Sequence, residues 1–190
     1  MQGWQLTTVV SGGQTGADQA GICAAKFLDY RTGGKIAKGW LTELGSEPWL
    51  REFGLTETAS FSLRSRSYAN VVAADATVIF TEEILAWEKG SAAARKRIRE
   101  SKAHLVGNIT PAQILASYNI PPFSGSAYTL ELAIAHRKPC IVNPNDAEIL
   151  REFLYHTQAK TLNVAGSRES KAPGMYRWVY DFLVDALVPF

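Results

Sequence analysis

The sequence predicts a three-layer αβα domain around a mainly parallel sheet, and three observations carry that prediction. Short apolar, β-branched runs recur at 6–10, 76–80, 139–142 and 161–165. Segments with apolar residues at helical spacing alternate with them, at 17–28, 62–73, 126–136, 146–156 and 174–187. The first run ends in a glycine cluster that opens a helix. Strands separated by helices pair in parallel through crossovers, which places helices on both sheet faces.

Each element has a local reason. The run at 6–10 suits a pleated strand, and the residues from Ala17 onward repeat their apolar positions with helical period. Further along, Asn145 followed by Glu148 fits a capping box, Thr110-Pro111 fits an N-cap with proline at the first helical position, and Pro173 opens the last helix. Between 81 and 123 the pattern shifts to a charged helix over 88–102, a short stretch at 104–107 and a helix over 111–118. This reads as a helical insertion at about 82–123 within one domain spanning 1–190, rather than as a second core.

Composition narrows the function classes. A chain of 190 residues that is 46% hydrophobic can bury a substantial core. The 20 basic and 18 acidic residues are spread along it, unlike the concentrated basic stripe of a nucleic-acid binder. The basic run Arg95-Lys96-Arg97 with Arg99 lies beside Glu88 and Glu100 and reads as a solvated helix face, with a nucleic-acid contact or a lid as the other readings. Cys23 and Cys140 fall in a helix and a buried strand, which argues against a disulfide framework or a zinc cluster and for a reducing compartment. With no long apolar span and no signal-peptide pattern, the expectation is a cytoplasmic protein that contacts neither membrane nor nucleic acid.

In an open parallel sheet, ligands bind over the carboxyl ends of the strands, so the loops there are the candidates for chemistry. The first is Gly12-Gly13-Gln14-Thr15-Gly16 with Asp18 in the next turn. Its glycines would let a phosphate approach backbone N–H groups at a helix start, and Thr15 adds a hydroxyl. The spacing matches neither the dinucleotide fingerprint nor the Walker loop, and a plain tight turn with Asp18 facing the helix dipole fits as well. On the phosphate reading, valine at Gly13 would block the ligand and leave the fold intact.

The second loop, Ser124-Gly125-Ser126 with Thr129 and Glu131, opens another helix, with an ordinary N-cap as the simpler reading. The third carries Asn163, Gly166, Arg168, Glu169, Ser170 and Lys171. Arg168 suits a bidentate oxyanion grip with Lys171 as a point charge, and Glu169 suits either orienting Arg168 or accepting from a ring N–H. The fourth supplies Lys38, Arg64, Arg66 and Asn70, which fit an anion pocket or the solvated cap of a helix. The three histidines, at 104, 136 and 156, share no spacing with a nucleophile, and no metal-binding motif occurs.

These residues together resemble the putative molybdenum carrier family. The match runs through the stretch from Ser11 to Asp18, Gly33-Gly34, Lys38-Gly39-Trp40 with Thr42-Glu43, Phe53-Gly54-Leu55 with Glu57-Thr58, Asn70-Val71, the stretch from Asp75 to Phe80, and the loop from Asn163 to Gly174. Lys35 and Ala37 depart from it, where the family more usually shows an aromatic residue and proline, as does the long insertion before Ser124. The resemblance implies a Rossmann-like fold related to the cytokinin-activating LOG and lysine-decarboxylase-like proteins. It also implies binding of molybdenum cofactor, a pterin bearing a dithiolene and a phosphate, by a homo-oligomer, a tetramer or dimer, with molybdoenzymes as recipients. The leading expectation is carriage of that cofactor, or a related phosphate-bearing anion, without chemistry and without a protein-ligated metal. A LOG-like nucleoside 5'-monophosphate phosphoribohydrolase using Glu131 ranks second, since the Pro-Gly-Gly-x-Gly-Thr pattern of those enzymes is only partly echoed. A nucleotide or ADP-ribose sensor ranks third.

Overall fold

The computed structural model describes residues 5–101 and 120–188. Six strands form one parallel sheet in the order β5-β2-β1-β8-β6-β7, with β1 Thr8–Ser11, β2 Arg31–Ile36, β5 Leu55–Glu57, β6 Ala76–Phe80, β7 Cys140–Val142 and β8 Thr161–Gly166. A short antiparallel hairpin, β3 Leu41–Thr42 and β4 Gly45–Ser46, and a 3-10 helix over Pro48–Phe53 lie between β2 and β5. Seven helices complete the described chain: α1 Ala17–Phe27, α2 Leu63–Ala73, α3 Glu82–Glu88, α4 Ala92–Ser101, α5 Gly125–Ala135, α6 Ala147–Thr157 and α7 Met175–Ala186. The fold is Rossmann-like, as predicted.

Helices cover both sheet faces. On one, α1 packs against α7, and α7 against α6, around a core that includes Val9, Val78, Phe80, Leu150, Leu154, Leu162, Met175 and Leu183. On the other, α2 packs against α5, with Val71, Leu130, Leu132 and Ala133 turned inward. The fully buried run at 76–80 is what a central strand covered on both sides requires.

The topology locates the ligand edge. From β1 the chain winds outward through β2 and β5, then crosses to β6 and β7, and finally returns through β8 into the gap between β1 and β6. Strand order therefore reverses over β1 and β8, and their carboxyl ends open on the crevice where such sheets bind ligands.

Several sequence expectations shift. The strands β2 and β5 carried no periodic signal, because β2 holds two glycines and β5 is only three residues long. Gly34 has φ +128°, and a Cβ there would lie 2.1 Å from the Ser11 carbonyl oxygen. The helix expected over 88–102 is two helices broken at Gly90, whose φ is +88°. The cap of α6 is Asp146, not Asn145: its carboxylate accepts from Glu148 N–H at 3.0 Å. Cys23 and Cys140 are partly exposed rather than buried. His104, the stretch at 104–107, the Thr110-Pro111 cap and the helix over 111–118 lie outside the described residues.

Candidate anion-binding cleft

Residues 12–16 leave β1 and enter α1. Gly13 has φ +72°, and a Cβ there would meet Leu55 Cδ2 at 2.7 Å and Ile36 Cδ1 at 3.0 Å. Its open side faces the apolar cluster of Ile22, Ile36, Leu50 and Leu55. The expectation that Gly13→Val would spare the fold is therefore corrected, since the valine methyls would enter packed core. The loop amides are met from within: Gly13 N–H donates to Ser11 Oγ (3.2 Å), Gln14 N–H to Asp18 Oδ2 (3.3 Å) and Thr15 N–H to Gln14 Oε1 (3.1 Å).

Asp18, buried in the first turn of α1, is thus the anion around which the loop wraps. Burial raises its carboxyl pKa, against the pull of the Arg66 guanidinium and of the Gln14 and Gly12 N–H groups. Arg66, from α2, donates through Nη1 to Asp18 Oδ2 at 2.7 Å. Gly12 makes room for it, since a Cβ there would lie 1.7 Å from Arg66 Nη1. Arg66 Nε is buried without a hydrogen-bond partner among the described residues.

Above this pair a cleft of about 540 Å³ opens at the strand-order reversal, a volume in the range of small-molecule sites. Arg64 and Arg66 reach it from α2, Arg168 and Lys171 from the loop after β8, and Ser124, Gly125 and Ser126 from the start of α5. Ser124 Oγ caps α5 by accepting from Ala127 N–H at 3.1 Å, and the N–H groups of Gly125 and Ser126 have no acceptor among the described residues. The Arg64 guanidinium lies over the Tyr128 ring, 4.9 Å from its centroid. Among the lining residues the carboxylate is that of Glu82, in the first turn of α3. Arg66 also lines a smaller cavity of about 50 Å³ beneath, shared with Gly12, Asp18, Asn70, Thr129, Asn163 and Gly166.

The β3–β4 hairpin clamps the rim. Glu43 accepts from the Thr15 hydroxyl, from the Ser170 hydroxyl and from Ser170 N–H (3.1 Å), with Arg168 Nε 3.8 Å away. Glu43 N–H in turn donates to Gln14 Oε1 at 2.8 Å. Glu169 accepts from Gly174 N–H (2.6 Å) and Tyr176 N–H (2.8 Å), so its carboxylate caps α7. The two loops at the reversal point are therefore tied to each other and to the hairpin.

A model of the circularly permutated YpsA SLOG family matches residues 9–118 and 108–187. The chain belongs to that family. A crystal structure of a putative molybdenum carrier protein from Syntrophus aciditrophicus SB is similar to it at 25% identity, with 98% of each chain covered and a TM-score of 0.72. No curated protein matches the chain. Residues near both ends of the described chain bond to the start of β2. Tyr30 Oη donates to the Leu187 carbonyl at 2.9 Å, while the next residue, Arg31, donates its N–H to the Thr7 carbonyl at 3.1 Å.

The other predicted site residues of this SLOG chain take several places. Gly16 has φ +73° and packs against the backbone of Ser167, where a Cβ would lie 2.5 Å from the carbonyl oxygen. Gly166 lies closer still to the Phe80 carbonyl, whose oxygen would be 2.1 Å from a Cβ there. Asn70 spends both ends of its side-chain amide on the Lys35 backbone, at 2.7 and 2.9 Å, tying α2 to β2. Thr129 donates to the Gly125 carbonyl, and Asn163 reaches Thr77 at 3.4 Å. Lys38 is exposed beside the Phe61 ring and Glu131 is exposed on α5; neither is among the residues lining the cleft. Sequence reasoning missed Glu82 and the Asn143 that holds its turn. The position just past the strand at 76–80 was the available signal. Among the described residues, no three His, Cys, Asp or Glu side chains gather to hold a metal ion, and no helix is long and apolar enough to cross a membrane.

Proposed function

We propose that this chain binds and carries an anionic, phosphate-bearing small molecule, molybdenum cofactor first among the candidates, without acting on it chemically. The observation that carries the reading is the cleft itself: Arg64, Arg66, Arg168 and Lys171 converge there with the start of α5. Guanidinium forks and free helix N–H groups suit phosphate and oxyanion oxygens. Because Asp18 fills the glycine loop, the phosphate grip is assigned to the α5 start with Arg64 and Arg66, and the second anionic end to Arg168 and Lys171. The apolar wall of Leu63, Ile120, Pro121 and the Tyr128 ring suits the flat body of a pterin.

The similarity to a structure named as a putative molybdenum carrier protein supports the choice of cargo. The position of Glu131, away from the residues lining the cleft, favours carriage over hydrolysis through that carboxylate. The carrier is proposed to work as a cytoplasmic homo-oligomer that hands its cargo to molybdoenzymes. Calorimetry with molybdenum cofactor, molybdate, AMP and ADP-ribose tests the reading. Cofactor should bind tightest and leave the cleft unaltered, and Arg168→Ala with Lys171→Ala should weaken it by about tenfold or more, the equivalent of one lost charge-assisted contact. Equal or tighter binding of AMP, or release of free base from it, would reject the carrier.

A further inference from the structure

We infer that Glu82 reads the heterocycle of the ligand, selecting a ring edge with two adjacent N–H donors, the ring N–H beside the 2-amino group that guanine and pterins share. The inference rests on the cleft being the anion site proposed above.

Glu82 is the carboxylate in a cleft lined otherwise by cations, hydroxyls, the Gln14 amide and apolar groups. It makes no hydrogen bond or ion pair among the described residues, although Arg168 and Lys171 line the same cleft. A carboxylate there opposes the binding of an anion by Coulomb repulsion, a cost that a donor-rich part of the same ligand offsets. An ionised carboxylate accepts only, through two parallel oxygens, and the group that satisfies both is a pair of neighbouring N–H donors. Guanine and pterin present such a pair; the amino edge of adenine alternates donor and acceptor.

Position supports the division of labour. Arg66 stands beside the loop of β1 and Glu82 follows β6, with β8 between those strands. Two strand spacings separate the ends, about 10 Å, so the anionic group and the ring edge of one mononucleotide-sized ligand can be held at once. Tyr128, under the Arg64 guanidinium, lines the same cleft and adds an aromatic edge to its wall. The turn carrying Glu82 is fixed, because Asn143 Oδ1 accepts from Thr81 N–H at 2.7 Å and Asn143 Nδ2 donates to Thr81 Oγ1 at 2.8 Å.

Calorimetry on the full chain, in buffer with EDTA, compares inorganic pyrophosphate, AMP, GMP and a pterin monophosphate for the wild type, Glu82→Gln and Glu82→Ala. The wild type should prefer GMP or the pterin over AMP by about tenfold or more, as a bidentate pair does. Both variants should lose that preference and keep their affinity for pyrophosphate. Glu82 is exposed, so both should fold, which unchanged unfolding midpoints confirm. A stronger hold on the pterin than on GMP identifies the pterin as the natural source of the edge, and the reverse identifies a guanine nucleotide. Pyrophosphate binding with equal affinity for AMP, GMP and pterin overturns the inference alone. Failure of the wild type to bind any of the four overturns it together with the anion-site reading. An effect of Glu82→Gln that appears only when Mg2+ replaces EDTA would assign the carboxylate to a metal and also overturn it.

Discussion

Arg66 reaches across 48 positions of sequence to hold Asp18 at 2.7 Å, joining α2 to the first turn of α1 beneath the cleft. Both side chains are nearly enclosed, at 12% and 6% exposure. Removing one partner strands the other as a buried charge. Arg66→Met should therefore cost about 3 kcal/mol, the low end for a broken buried pair because a little solvent contact remains. Asp18→Asn added to it should recover part of that loss. Urea unfolding of the two single variants and the double one measures the coupling; additive effects would mean that the pair is not a unit.

Glu43 makes the rim of the cleft sensitive to acid. Burial works to raise its pKa, but the hydroxyl and N–H of Ser170, the Thr15 hydroxyl and Arg168 outweigh it, so it lies below the ordinary 4.5. A carboxylate depressed in the folded state adds stability above its unfolded pKa and loses it as pH falls through the folded value. The stability gap between wild type and Glu43→Gln should be full at neutral pH and shrink once the pH drops below 4.5. Urea midpoints for both proteins, taken from neutral pH downward, test this. A constant gap would show that the latch does not depend on the charge of Glu43.

Neighbouring glycines in the first loop should fail in different ways. At Gly13 a valine meets Leu55 and Ile36 and has to adopt a left-handed φ of +72°. Overpacking and the backbone penalty together come to about 3 kcal/mol. At Gly12 an alanine meets the Arg66 guanidinium and, at 2.8 Å, Asp18 Oδ2. It should disturb the Arg66–Asp18 pair and weaken anion binding, with a stability loss no greater than that of Arg66→Met, whereas the loss in Gly13→Val falls on stability alone. Thermal unfolding and pyrophosphate affinity, measured on both, separate the two roles. Loss of affinity at Gly13 with an intact unfolding midpoint would restore the phosphate to that loop.

The same loop shows what the sequence could and could not convey. Its place after a β-branched run was legible, because strand, glycines and amphipathic helix are local patterns. That its amides would be spent on Ser11, Gln14 and Asp18 was not, since this depends on Arg66 arriving from α2 to neutralise the carboxylate. Asn70 likewise has the composition of a ligand group, and its partner, the backbone of Lys35, lies in a strand without a periodic signal. Glu169, which the sequence suits to orienting Arg168 or accepting from a ring N–H, gives its carboxylate to the start of α7 instead. Glu82 had no motif around it. The sheet order that sets β6 beside β8 is what brings its turn to the cleft where Arg66 lies.

That turn depends on Asn143, whose own φ of +49° lies in the left-handed region that asparagine tolerates. Both Asn143 and Thr81 are buried, so truncating the amide leaves the Thr81 N–H and hydroxyl without partners. Asn143→Ala should lose about 2 kcal/mol for these orphaned groups, and more for alanine at positive φ. Asn143→Gly removes the backbone penalty and keeps the hydrogen-bond deficit, so it should be the milder of the two. In either protein Thr81 is freed and Glu82 loses its fixed direction. The preference between GMP and AMP should then fall while pyrophosphate affinity holds. An unaltered preference in Asn143→Gly would show that the turn stands without its asparagine.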